Sequence, residues 1–174
     1  MKKLIVLFFA LSFSASIYSQ DATSENPNMN IGIGMGMDYG GFGGRFTYLP
    51  QQKFGLFAAL GYNLVGVGFN AGAIYRFDSD KKVTPYIGAM YGYNAVLRVD
   101  GGTESDEIYY GPSFSLGIEL KSRKNNSNFW NLEIVLPIRP SSFQDDIDRL
   151  KDFGYDVTEP LPVGFSIGYH FGLK

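Results

Sequence analysis

From Met29 onward the chain alternates apolar residues with small or polar ones at a period of two. Met29, Ile31, Ile33, Met35, Met37 and Tyr39 fall on one parity, and Asn30, Gly32, Gly34, Gly36 and Asp38 fall on the other. Successive side chains of a strand point to opposite faces, so this spacing predicts one greasy face and one small, polar face. The alternation recurs in seven further segments, around residues 42–48, 54–63, 65–77, 86–95, 108–120, 130–136 and 163–173. In the body of the chain, helical spacing appears only within the last long connector. The pattern predicts an all-β domain of about eight antiparallel strands.

Volume decides which face looks inward. An eight-stranded barrel encloses a space that its own side chains fill. The apolar parity brings several large residues from every strand, such as Phe114, Leu116, Ile118 and Leu120, and would overfill that space. The other parity is mostly Gly, Ser, Asn and Ala; it suits a narrow interior and, with few charges, makes a poor soluble exterior. The predicted fold is an eight-stranded antiparallel transmembrane β-barrel over 29–174, with its apolar face toward lipid. A soluble lipocalin-like barrel, with that face inward, is the alternative. Lipid-facing rings near the strand ends suit aromatic girdles, with Tyr39, Phe42, Tyr62, Tyr93 and Tyr110 toward one rim and Tyr48, Phe54, Phe77, Trp130, Tyr169 and Phe171 toward the other. Lipid offers no partner to an open sheet edge, so the sheet must close. Pro85, Pro112, Pro137 and Pro162 are expected toward strand ends, where a missing N–H is tolerable.

The connectors alternate in character. Pro50–Gln52, Asp78–Lys82 and Ser122–Ser127 are compact and polar, whereas the two longest, Arg98–Asp106 and Arg139–Pro160, share the opposite end with Gly40-Gly41 and Asn63–Val65. With the N-terminus in the periplasm, the long connectors lie on the outer surface. A short helix is possible in the last one: Ser142 is a candidate cap, Asp145 and Asp146 suit the positive end of the dipole, and Gly154 is a stop. Phe143, Ile147 and Leu150 would share one face. They are candidates for contact with a surface partner, or for packing a loop over the barrel mouth. The acidic connector carries Asp100, Glu104, Asp106 and Glu107 without the spacing of a calcium loop, and is expected to be solvated.

The N-terminus carries an address. Lys2-Lys3, an apolar run from Leu4 to Phe13, and then Ser14, Ala15, Ser16 and Ser19 follow the order of a secretory signal peptide. The run is shorter than the roughly 20 residues that span a bilayer as a helix. Residues 1–19 are therefore expected to be removed, and 20–28 to form a flexible periplasmic leader. The 22 glycines among 174 residues lack a collagen period and belong to the tight interior. A net charge of −2 offers no basic patch for nucleic acid, and the absence of cysteine removes disulfides and thiolate metal sites.

Charges on the inward parity are few: Asp38, Arg45, Arg76, Glu119, Glu133 and the single histidine, His170. Unmatched charge in a narrow lumen is costly, so partners are expected, Arg45 with Glu133 near mid-height and Arg76 with Glu119 toward the periplasmic end. His170 is expected at the periplasmic rim, away from the long connectors. No nucleophile, base and acid gather as an active site requires, the Gly-x-Gly runs lie inside strands, and neither a cofactor nor a metal site is indicated.

The eight alternating segments, such as Met29-Asn-Ile-Gly-Ile-Gly-Met-Gly-Met37 and Val163-Gly-Phe-Ser-Ile-Gly-Tyr-His-Phe171, resemble the small outer-membrane β-barrel proteins of the OmpA/OmpX type and, among them, the PorT-like barrels of Bacteroidetes. The resemblance covers 28–174. It implies a cell outer-membrane location, lipid and the barrel-assembly machinery as partners, and a non-enzymatic role that is structural or works through the outer loops, including a possible surface partner at Arg139–Pro160. A narrow channel or transporter for small solutes is the second possibility. Such barrels usually end on an aromatic residue, whereas here Phe171 is followed by Gly172-Leu173-Lys174.

Overall fold

The computed structural model describes residues 28–77, 81–97, 107–123, 127–153 and 161–173. The signal segment and leader residues 20–27 fall outside these residues, as do Asp100, Glu104 and Asp106 of the acidic connector and Gly154, the expected helix stop. Eight strands form one closed antiparallel barrel in sequence order: β1 (Met29–Gly36), β2 (Gly41–Gln51), β3 (Phe54–Tyr62), β4 (Val67–Arg76), β5 (Val83–Leu97), β6 (Glu107–Lys121), β7 (Phe129–Pro137) and β8 (Gly164–Leu173). β8 closes on β1, with Ile33 opposite Tyr169 and Gly32 opposite His170. A helix, α1 (Ser141–Asp152), lies between β7 and β8.

The barrel is apolar outside and polar inside. In β7, Trp130, Leu132, Ile134 and Leu136 are exposed, while Phe129, Asn131, Glu133 and Val135 are buried. Leu60, Leu116 and Ile33 are 61%, 59% and 55% exposed. A continuous belt of such residues around a closed sheet is the surface of a membrane-spanning barrel, and it excludes the apolar-in alternative.

Three departures from simple alternation shape the rim opposite the N-terminus. β1 stops at Gly36, so Met37 and Tyr39 do not continue its lipid face. The turn folds inward, Met37 packs against the lumen core, and Tyr39 is fully buried rather than part of a girdle. Gly40 (φ 70°) and Gly41 (φ 112°) adopt backbone angles that a residue with a Cβ resists. Gly40 also lies against Gly68 of β4, leaving no room for a side chain on either.

The second departure is a bulge in β5. Tyr93 pairs with Tyr110 but Ala95 pairs with Tyr109, so Asn94 is the extra residue. Its amide reaches the carbonyl of Pro112 (3.0 Å) and the hydroxyl of Ser113 (3.1 Å). The bulge reverses the parity beyond it. Ala95, expected outward, faces inward together with Leu97. Pro112 lies well inside β6 rather than near its end, because β5 and β6 run past the β6–β7 ladder, which begins at Ser113. Glu107, assigned to the acidic connector, is the first residue of β6, and β4 starts at Val67, two residues later than the alternation suggests.

The third is α1. It starts after Pro140, without the Ser142 cap, and Asp145 and Asp146 lie beyond its first turn. Arg149 and Lys151 near its C-terminal end suit the dipole, and the Asp146–Arg149 pair (3.1 Å) bridges one turn. Phe143, Ile147 and Leu150 pack onto Ala95, Leu97 and Tyr109 of the projecting β5–β6 hairpin.

Candidate functional site

The strands deliver Arg45, Arg76, Glu119 and Glu133 to one place, the lumen. Arg45 of β2 points inward opposite Glu133 of β7, and the inward turn brings Asp38 down from the rim. One guanidinium nitrogen, Nη1, lies 2.6 Å from Asp38 Oδ2 and 3.2 Å from Glu133 Oε2. The guanidinium also stacks over the Phe57 ring, 3.8 Å from its centroid. Tyr86 donates its hydroxyl hydrogen to Glu133 Oε2 at 2.7 Å. A second pair lies beside this cluster: Arg76 binds Glu119 through Nη2 (2.7 Å) and Nε (2.8 Å). All five charged side chains are buried. Burial of this kind is tolerated because each charge meets an opposite one at hydrogen-bond distance.

His170 stands near the barrel end that carries the N-terminus, opposite Phe129, the first residue of β7, but its ring is not open at the rim. It is 2% exposed inside the barrel, stacked on Phe129 with ring centroids 4.7 Å apart and planes 4° apart. Its Nδ1 lies 2.9 Å from Asn30 Oδ1 and its Nε2 lies 2.7 Å from the Tyr39 hydroxyl, which also contacts Asn131 Oδ1 at 2.8 Å. Register explains the position: His170 pairs with Gly32, three residues into β1. Gly32 is also what admits the ring, since a Cβ there would strike it. Likewise, a Cβ at Gly117 would strike Tyr86, and one at Gly168 would strike the Tyr39 hydroxyl.

Around Arg45 and Arg76 the interior is consequently close-packed. Among Arg45, Thr47, Ile74, Arg76, Tyr86, Glu119, Phe129, Asn131 and His170 there is about 10 Å³ open to the centre of a water molecule, room for a single water. Hollows of about 700 and 500 Å³ lie on the outer, lipid-facing wall, lined by residues such as Met35, Leu132 and Phe165 in one and Phe54, Tyr75 and Ile87 in the other.

At the far rim, the three apolar helix residues considered for contact with a partner are buried in the hairpin contact, so that face of α1 is not free. Tyr109 ties the two elements together: its ring meets Phe143 edge-on at 5.0 Å, and its hydroxyl lies 2.6 Å from Asp146 Oδ2 and 2.8 Å from Glu107 Oε2. Arg139 reaches the Leu161 carbonyl and joins the two ends of the connector. The opposite face of α1 is exposed and carries Asp145, Asp148, Arg149 and Asp152. Among the described residues no three His, Cys, Asp or Glu side chains gather as metal ligands.

No protein-family model matches the chain, and no curated protein matches it. Solved structures do. The N-terminal β-barrel domain of Pseudomonas aeruginosa OprF aligns over 84% of this chain and 100% of its own, with a TM-score of 0.54 and 14% identity. Acinetobacter baumannii CarO2 aligns over 87% and 100%, with a TM-score of 0.47 and 16% identity. The OprF likeness is one of fold: this chain has the closed barrel of that domain.

Proposed function

We propose that the protein is a non-enzymatic outer-membrane barrel that spans the membrane as a sealed cylinder and displays its helix-bearing rim at the cell surface. The apolar belt around a filled, charge-paired lumen carries this proposal. A belt of this kind suits lipid, and a lumen packed shut at the level of Arg45 and Arg76 suits neither solute passage nor substrate entry. The likeness to the barrel domain of OprF supports the same envelope location, as do the signal-like N-terminus and the two long connectors on one rim. A surface partner would meet the charged outer face of α1, where Asp145, Asp148 and Asp152 stand beside Arg149 and Lys151, since its apolar face is already occupied. Assembly would proceed through the barrel-assembly machinery, as for other barrels of this shape.

Protease treatment of intact cells tests the orientation. Cleavage is expected within 139–160, leaving a barrel that still migrates faster on gels before boiling than after it. Cleavage there only after the outer membrane is broken would place this rim in the periplasm. In planar bilayers the purified protein is expected to give no steady conductance; a reproducible one would favour the narrow-channel alternative.

A further inference from the structure

The cluster at the inner end of the β1–β2 turn does not balance. Asp38 and Glu133 share one guanidinium nitrogen of Arg45. The neighbouring Arg76 is matched one to one by Glu119 and offers no compensation. The other polar groups facing the cluster are neutral in their ordinary states, Tyr39 on the turn itself, Tyr86 from β5, Asn70 from β4, Asn131 from β7 and Ser166 from β8, and the one further titratable group beside them is His170 from β8. His170 is separated from the carboxylates by the Tyr39 phenol. With both acids ionised, a closed interior would hold one surplus negative charge. Asp38 Oδ1, Glu133 Oε1 and Arg45 Nε have no hydrogen-bond partner among the described residues to offset it. A buried surplus of this kind is relieved by binding a proton.

The members differ in what they can do when that proton leaves. Arg45 and Glu133 are fixed in ladders of a closed sheet, paired with Gly32 and Ala59, and with Gly117 and Ser166. Asp38 sits on a turn outside the ladders, held by its own amide to Ser166 Oγ (3.2 Å), the Gly40 amide to the Met37 carbonyl (3.1 Å), the Asn70 amide to the Met37 and Asp38 carbonyls (2.7 and 3.1 Å), and the buried Tyr39 hydroxyl against Asn131 Oδ1 (2.8 Å) and His170 Nε2 (2.7 Å), so that Tyr39 must leave the lumen with Asp38. Lifting the turn carries Asp38 to water and leaves Arg45 and Glu133 as a neutral pair. We infer that the inward β1–β2 turn is a proton-operated plug: the Asp38–Arg45–Glu133 cluster takes up one proton as the turn seats and gives it back to solvent as the turn lifts. Seated, one of the two acids carries a hydrogen beside the shared guanidinium; lifted, that hydrogen is on water and Asp38 is an exposed carboxylate.

The sign follows from proton count. The seated state binds one more proton, so acid favours seating and rising pH favours release, by up to tenfold per pH unit inside the titration window. Buried carboxyls titrate as high as about pH 8–9. The test is amide hydrogen exchange of the full mature barrel in lipid nanodiscs at pH 5 and pH 9, corrected for the intrinsic rates. Protection at Asp38 and Gly40 is expected to fall by tenfold or more at pH 9 while that of Ile31 and Ile33 in β1 holds. Asp38→Asn and Glu133→Gln each remove the surplus charge, and either is expected to keep the turn protected at both pH values. Equal protection of the wild-type turn at both pH values would overturn the inference. So would the same loss in whichever of the two variants folds. Neither outcome bears on the membrane orientation proposed above.

Discussion

A guanidinium shut inside a barrel persists only while its charge is matched. Arg45→Ala would leave Asp38 and Glu133 facing each other without a cation, at a cost of about 3–5 kcal/mol. Urea unfolding from lipid vesicles should show that loss. No conductance should appear, because Phe57, Ile74, Tyr86 and Phe129 still fill the lumen. The glycines make a second prediction at this scale. Gly168→Ala places a methyl on the Tyr39 hydroxyl and should cost about 1–3 kcal/mol. Gly44→Ala is the control: the nearest atom to its added Cβ is the Gly32 carbonyl oxygen at 3.7 Å, so the melting temperature should barely move. Much of this interior is legible in the sequence. Strand parity alone puts Arg45, Arg76, Glu119 and Glu133 on one face, and approximate depth puts Arg45 near Glu133. Tyr39 is not legible in this way, because counting by twos assumes that β1 runs on through Asp38. The chain turns at Gly36 instead, and Tyr39 changes sides while Phe42 stays outward. The Tyr39–His170 contact and the sharing of Arg45 by two carboxylates both depend on that turn.

Among the elements, α1 shows where local pattern stops being enough. The spacing of Phe143, Ile147 and Leu150 is helical and visible in the chain, but its platform is not. That platform exists because the Asn94 bulge reverses β5 and brings Ala95 and Leu97 to the same side as Tyr109. A bulge is one residue of register, set by the pairing of β5 with β6, and alternation within either strand does not reveal it. Ile147 is 1% exposed in this contact. Ile147→Ala should weaken docking of the helix by about 2–5 kcal/mol. Limited proteolysis should then cut within 141–153 much faster than in the wild type, while heat-modifiable gel migration of the barrel stays unchanged. Loss of both together would mean that α1 is part of the barrel's folding unit and not a lid laid upon it.

At the scale of the whole molecule, the inverted arrangement of apolar and polar surface makes a claim about solvent that single residues can test. Leu116 and Leu64 are both exposed, at 59% and 79%, yet they stand at different heights. Leu116 lies in the ladder between Ile87 and Ile134, within the apolar belt. Leu64 lies in the turn after β3, beyond the sheet, where its positive φ of 74° already marks a tight reversal. Were water the solvent throughout, an arginine would be tolerated at either position, and slightly better at the more exposed one. In a bilayer the order reverses: Leu116→Arg should cost about 2–4 kcal/mol, whereas a charge near the interface should cost about 0–1 kcal/mol. The comparison is best made by reversible folding into phosphatidylcholine vesicles, with both variants also measured in detergent micelles. A large penalty at Leu116 that shrinks in micelles, together with a small one at Leu64 in both, is what depth in a hydrocarbon slab requires. Equal penalties at the two sites would leave the apolar belt unexplained by lipid, whatever the shape of the barrel.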